Sequence, residues 1–121
     1  AGEKAQVAIH DMRVHPRLIK LGEMISLSLR LESTASNPQR LVVDYIVHYV
    51  KKSGGSSAKV FKLKEFTLDP GKSVILSRSQ TVRDFTTRVH YPGRHEVEVV
   101  VNGESLAKDY FDLLRSQPLT T

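Results

Sequence analysis

The sequence contains no cysteine and no tryptophan. Without thiols, disulfides and zinc–thiolate sites are excluded. An extracellular β-domain of this size often carries a disulfide, so the missing cysteine favours a cytoplasmic setting. Without tryptophan, and with Tyr45 and Tyr49 read as facing inward, a glycan-binding module lacks its usual exposed aromatic platform. No apolar run approaches the roughly 20 residues that cross a bilayer; the longest, around Leu41 to Val50, is interrupted by Asp44 and His48. No secretory signal opens the chain. It starts "AGEKAQVAIH" with no initiator methionine, as expected of an excised fragment or a processed product.

Catalytic signatures are missing as well. There is no Gly-rich phosphate loop, no GxSxG elbow and no HExxH pair. The histidines are His10, His15, His48, His90 and His95. His10, Asp11 and His15 are neighbours, but they straddle a connection around Pro16, so solvated or backbone-bonded rings are expected in place of metal ligands. Asp44 and His48 share a strand face, yet four strand residues separate them by about 13 Å, too far for a hydrogen bond. No catalytic residue, metal or cofactor is expected in this chain.

What the sequence does have is alternation. At 121 residues with 40% hydrophobic content, it can bury one core unaided. "AQVAIH" (Ala5 to His10) reads as a first strand, followed by the long connection "MRVHPRLIKLGE". In "MISLSLRLES", Ile25, Leu27, Leu29 and Leu31 share one face, and Ser26, Ser28, Arg30 and Glu32 share the other, as in a half-buried antiparallel strand. "RLVVDYIVHYVKK" alternates again, with Leu41, Val43, Tyr45, Val47 and Tyr49 inward. "KVFKLKEFTLDPGK" changes phase: Phe61 and Leu63 are odd, Phe66 and Leu68 even. A slip near Lys64-Glu65 implies a bulge or a crossing between sheets. "SVILSRSQTV" places Val74 and Leu76 inward and leaves Arg78 as an outward strand residue. "HEVEVVVNGESLAKDYFDLL" closes as a hairpin on Asn102-Gly103.

No segment sustains a helical period. Seven or eight short strands with regular turns indicate an all-β fold, an immunoglobulin-like or fibronectin-III-like sandwich of antiparallel strands. The expected layout is one domain over 1–121, with an ordered core of about 5–114 and a polar tail at 115–121. Gly93, His95 and Val97 occupy the spacing at which such domains place a small residue, a corner tyrosine and a core residue. His95 is therefore expected to act as a corner side chain that hydrogen-bonds backbone.

The net charge of +5 is unevenly spread. From Lys51 to Arg94, ten cations face three anions, a local +7, which leaves −2 for the remainder. Such asymmetry suits an anionic partner or simple solubility. In "KKSGGSSAK", Lys51, Lys52 and Lys59 offer cations and Ser53, Ser56 and Ser57 offer hydroxyls. Gly54 and Gly55 are read as letting backbone N–H groups approach an anion. This chemistry suits phosphates. In the loop "RDFTTRVHYPGR", Arg83, Thr87 and Arg88, with Thr86 and His90, could reach phosphates and Tyr91 could stack on a base or sugar. Equally, Phe85 and Tyr91 could cap the core, and lysine is the usual device for protecting a sheet edge.

"LVVDYIVHYVKKSGGSSAKVFKLKEFTLDPGKSV", continued by "TTRVHYPGRHEVEVVVNGE", resembles the C-terminal immunoglobulin-like domain of AlkC-type DNA alkylation repair proteins. The resemblance spans about Met24 to Leu113. Its most specific parts are "DYIVHYVK", "KVFKLK" and the "YPG-H" lead into the penultimate strand. It implies bacterial DNA glycosylases that remove alkylated bases by base excision, with catalysis in a HEAT-like helical-repeat domain absent from this sequence. It also implies a domain that helps hold duplex DNA. The expected partners are therefore alkylated duplex DNA, through the longer protein, and that helical domain within the same chain. No membrane is expected, and a monomer is the expected state. The contact set expected from the residues is Lys51, Lys52, Ser53, Ser56, Ser57, Lys59, Arg83, Thr87 and Arg88. The alternative is a structural or protein-interaction sandwich with no nucleic-acid role.

Overall fold

The alternating segments become eight strands in the computed structural model, which describes residues 3–84 and 89–114. They are β1 (Val7–His15), β2 (Leu18–Lys20), β3 (Met24–Ser33), β4 (Gln39–Val50), β5 (Ser56–Leu68), β6 (Ser73–Thr81), β7 (Gly93–Val101) and β8 (Glu104–Leu114). One sheet has the order β1-β3-β6 and the other β2-β8-β7-β4-β5. The expected β-sandwich holds. All pairings are antiparallel except β2 with β8, which is parallel.

The core forms where the inward parities meet. Leu27, Leu29 and Leu31 of β3 face Leu41, Val43, Tyr45 and Val47 of β4 and Val97, Val99 and Val101 of β7, all buried. Burying each such aliphatic side chain contributes roughly 1.5–3 kcal/mol.

Two local expectations change, and a third resolves to one of its two alternatives. The first strand is longer than Ala5 to His10, because its alternation resumes after a bulge. Asp11 adopts φ 55° and the register with β3 shifts between His10 and Arg13. The supposed connection after it contains the end of β1 and all of β2; Pro16, preceded by a cis peptide bond, sits between the two strands. Proline offers no N–H to a ladder, so it stands where the chain leaves one sheet for the other. In β5 the phase change is a bulge and not a crossing. Val43 faces Lys64 and Asp44 faces Lys62, so Leu63 is the extra residue.

The turn between β7 and β8 is the expected two-residue one. Asn102 (φ 48°) and Gly103 (φ 84°) both take positive φ, as a type I′ hairpin requires. The Asn102 side chain accepts from Val42 N–H at 2.8 Å and donates to the Glu3 carbonyl at 2.9 Å.

His95 takes the corner role. It is fully buried. Its Nδ1–H donates to the Gly93 carbonyl at 3.0 Å, and its Nε2 accepts the Val50 N–H at 3.4 Å. These bonds tie the start of β7 to the end of β4, one residue before Lys51. Burial holds the imidazole below its ordinary pKa, against the opposing pull of the Gly93 carbonyl.

Candidate nucleic-acid interface

The β4–β5 hairpin projects from the end of the sandwich opposite the Asn102–Gly103 turn. Its tip is closed by its own backbone: Lys51 N–H donates to Gly55 O at 2.8 Å, and Gly54 N–H to Lys51 O at 3.0 Å. Gly55 N–H reaches Ser53 Oγ at 3.4 Å. The two glycine N–H groups therefore serve the turn, which corrects the expectation that they approach an anion. Gly54, with φ 92°, is where the turn needs a residue tolerant of the left-handed region.

The side chains tell a different story. Lys51, Lys52, Ser53, Ser56 and Lys59 are exposed and Ser57 is half-buried. Lys51, Lys52 and Lys59 have no carboxylate partner among the described residues. Further along β5, Lys62 is neutralised by Glu65 at 2.9 Å, which also holds Arg40 at 3.0 Å. Its two cationic neighbours hold the Glu65 carboxyl below the usual range, chiefly through the Lys62 bond. Of the five lysines of this hairpin, Lys62 has a carboxylate partner; Lys51, Lys52 and Lys59 near the tip, and Lys64 beyond Lys62, have none among the described residues.

Two hollows open beside the lysines near the tip. One, of about 350 Å³, is lined by Lys51, Lys52, Ser57, Val89 and Tyr91, with Tyr49 at its wall. Tyr91 N–H bonds the Val50 carbonyl at 3.4 Å, which brings the loop before β7 onto the hairpin. The second, of about 290 Å³, lies between β5 and β6 and is lined by Lys59, Phe61, Arg78, Gln80 and His90, with Tyr49 again shared. Tyr49 is fixed by its ring and by its hydroxyl. It stacks on His90 with centroids 4.3 Å apart and meets His95 edge-on at 5.7 Å. Its hydroxyl accepts from Gln80 Nε2 at 2.8 Å, while Gln80 Oε1 accepts from the Tyr45 hydroxyl at 2.7 Å. Burial raises the Tyr45 phenol pKa, and Arg78 partly offsets the rise.

Arg78 is not the outward residue its strand suggested. It shares the parity of Val74 and Leu76, opposite Leu27. Because β6 is an edge strand, its inward-facing side chain reaches across the open side and donates to the Leu63 carbonyl at 3.1 Å. The parity of Val74 and Leu76 carried that signal. Arg83 is exposed just after Val82, which is bonded to Glu23 in the β2–β3 turn, and it does not line either hollow. Thr87 and Arg88, with Phe85 and Thr86, lie outside the described residues.

The remaining histidines are engaged locally. His10 bonds Glu32 at 2.8 Å and His15 accepts from Arg13 at 3.2 Å. His48 pairs with Glu98, whose carboxyl is held below its usual range by that bond and by the Ser105 hydroxyl. Among the described residues no three His, Cys, Asp or Glu side chains converge as a metal site.

Residues 8–115 match the family described as the C-terminal Ig-like domain of the uncharacterised protein YhaZ. The chain belongs to that family. It is 33% identical over 106 residues to YhaZ of Bacillus subtilis (strain 168), covering 88% of this chain and 29% of that protein. It is 55% identical to the alkylpurine DNA glycosylase AlkC of Pseudomonas fluorescens, in a structure bound to DNA containing an abasic site analogue. The TM-score there is 0.91, over 93% of this chain and 31% of that one. A β-glucosidase from Listeria innocua shares the fold alone, at 15% identity and a TM-score of 0.69, over 91% of this chain and 16% of that one. The chain therefore spans less than a third of YhaZ and of AlkC.

Proposed function

We propose that this YhaZ-family domain is the non-catalytic DNA-binding part of a longer DNA glycosylase that excises alkylated bases. The observation that carries this reading is the 55% identity, over 93% of the chain, to a glycosylase captured with DNA. The contact falls to duplex phosphates through Lys51, Lys52 and Lys59, assisted by Ser53, Ser56 and Ser57. These lysines are cations near one end of the sandwich with no carboxylate partner among the described residues. Such contacts hold and orient a duplex without reading its sequence. Arg83, Thr87 and Arg88 extend the set in this reading. Base excision belongs to a helical-repeat part of the longer protein, packed against this domain in a cytoplasmic monomer. Residues 1–121 form a single domain ending in a polar tail at 115–121.

A second reading has its own support. β5 is the edge of its sheet, and lysines on an edge discourage pairing with other chains. On that reading the domain is a structural spacer. Amide chemical-shift mapping with a 12-base-pair duplex separates the two. The DNA-binding reading expects shifts concentrated at Lys51, Lys52, Ser57 and Lys59. Shifts absent at that end, with the spectrum otherwise well dispersed, favour the spacer.

A further inference from the structure

We infer that the two hollows flanking Tyr49 form one track for unpaired, single-stranded DNA, so that this end of the domain prefers a single strand to a duplex. The inference rests on the proposal that this end binds DNA and specifies the form of DNA it takes. A clamp on duplex phosphates needs only cations on a convex tip. Here cations are interleaved with rings inside recesses. Lys51 and Lys52 share the first hollow with Tyr91. Lys59 and Arg78 share the second with Phe61, whose ring is backed by Tyr45 at a centroid distance of 5.0 Å and 15°.

The Phe61 ring is held firmly enough to act as a platform. Phe61 rests on Tyr45, which is itself hydrogen-bonded to Gln80. Lys59 Nζ lies 5.1 Å from the Phe61 centroid, on an exposed and flexible stem that a base can displace. Arg78 uses one donor on the Leu63 carbonyl. Its other four N–H donors have no partner among the described residues. Ser57, Lys59 and Phe61 project from one face of β5 at intervals of about 6.6 Å, two residues of strand rise. They carry the track from the first hollow into the second.

The hollows hold about 350 and 290 Å³, room for a base or sugar and not for a double helix. Duplex bases are stacked on each other and cannot meet a recessed ring. Unpaired bases can, and base–aromatic stacking with cations along the backbone is how single strands are bound without sequence preference.

The test uses fluorescence anisotropy on this chain with a labelled 12-residue oligothymidylate and a labelled 12-base-pair duplex. The wild type is expected to bind the single strand about ten-fold more tightly, or better. Replacing both rings, Phe61→Leu with Tyr91→Leu, keeps apolar volume and removes the platforms. Each ring lost should weaken single-strand binding by about five-fold or more, with duplex affinity unchanged. Arg78→Gln, at an exposed position, should weaken single-strand binding alone and covers the case in which the double variant folds poorly. The wild type supplies a further readout. With no tryptophan its emission is tyrosine's, and the single strand should quench it more than the duplex does. Equal affinity for both probes, or single-strand binding untouched by these variants, overturns the track while leaving duplex binding in place. Binding of neither probe overturns the DNA-binding proposal and the track together.

Discussion

Replacing His95 with Leu should destabilise the domain by about 2 kcal/mol, and the loss should depend on pH. His95 is fully buried and joins two backbone groups, the Val50 N–H at 3.4 Å and the Gly93 carbonyl at 3.0 Å. Leu keeps apolar volume and removes both bonds. An N–H left without its acceptor in a part-buried site costs roughly 1–3 kcal/mol, and here the long bond argues for the lower end. Gly93 is exposed, so its carbonyl recovers water and loses about 0.5 kcal/mol net. The ring contacts to Tyr49 and Phe111 add about 0.5 kcal/mol more. At about 4 °C per kcal/mol for a chain of this size, Tm should fall by roughly 8 °C.

The pH arm follows from burial. The folded imidazole sits below its ordinary value of 6.5, so below that pH the unfolded chain binds a proton that the folded one refuses. The stabilisation is therefore complete above pH 6.5 and is lost as pH falls towards the folded value. The Leu variant lacks this loss, so the gap between the two proteins should narrow from pH 7.5 to 5. The Glu98 carboxyl, lowered from 4.5 by His48, adds a loss of the same sign only below that pH, in both proteins. Thermal denaturation followed by circular dichroism measures both arms. An unchanged Tm, or a gap constant across pH 7.5 to 5, would refute the corner role of His95.

Leu29→Ala should cost about 3–4 kcal/mol by urea denaturation, because Leu29 is 2% exposed and flanked by a closed core. Asn102→Ala should cost roughly 1–2 kcal/mol by the same measurement. It loses the bonds to Val42 and Glu3 and must hold φ 48° without a residue that tolerates it.

The architecture was legible because alternation is a direct consequence of strand geometry. Leu27, Leu29 and Leu31, or Val97, Val99 and Val101, can bury together only if each segment is a strand. The Asn102-Gly103 turn and the His95 corner were legible for the same local reason. The sequence misled where geometry is set by partners far away in the chain. β2 exists only because Leu18–Lys20 finds Asp112–Leu114 alongside. The Asp11 bulge hid the second half of β1, since one inserted residue reverses the facing of all that follow. Arg78 was misplaced although its parity was visible, because what places it in the second hollow is the open side between β5 and β6. The site was legible as a composition, lysines around a Gly-Ser tip. Which lysines are paired depended on Glu65, which neutralises Lys62 and leaves Lys51, Lys52, Lys59 and Lys64 with no carboxylate partner among the described residues.

The central claim, that Lys51, Lys52 and Lys59 grip DNA phosphates, is tested most directly by a salt titration of duplex binding. The assay compares wild type with Lys51→Ala, Lys52→Ala, Lys59→Ala combined. Three neutralised phosphates give a slope of log affinity against log salt of about −2.7, with dissociation constants in the non-specific range of roughly 10⁻⁶ to 10⁻⁴ M. The triple variant should show a flatter slope and weaker binding for every duplex sequence, with Tm nearly unchanged because exposed charges contribute little to stability. Coincident slopes for the two proteins would contradict the account and leave these lysines as protection for a sheet edge.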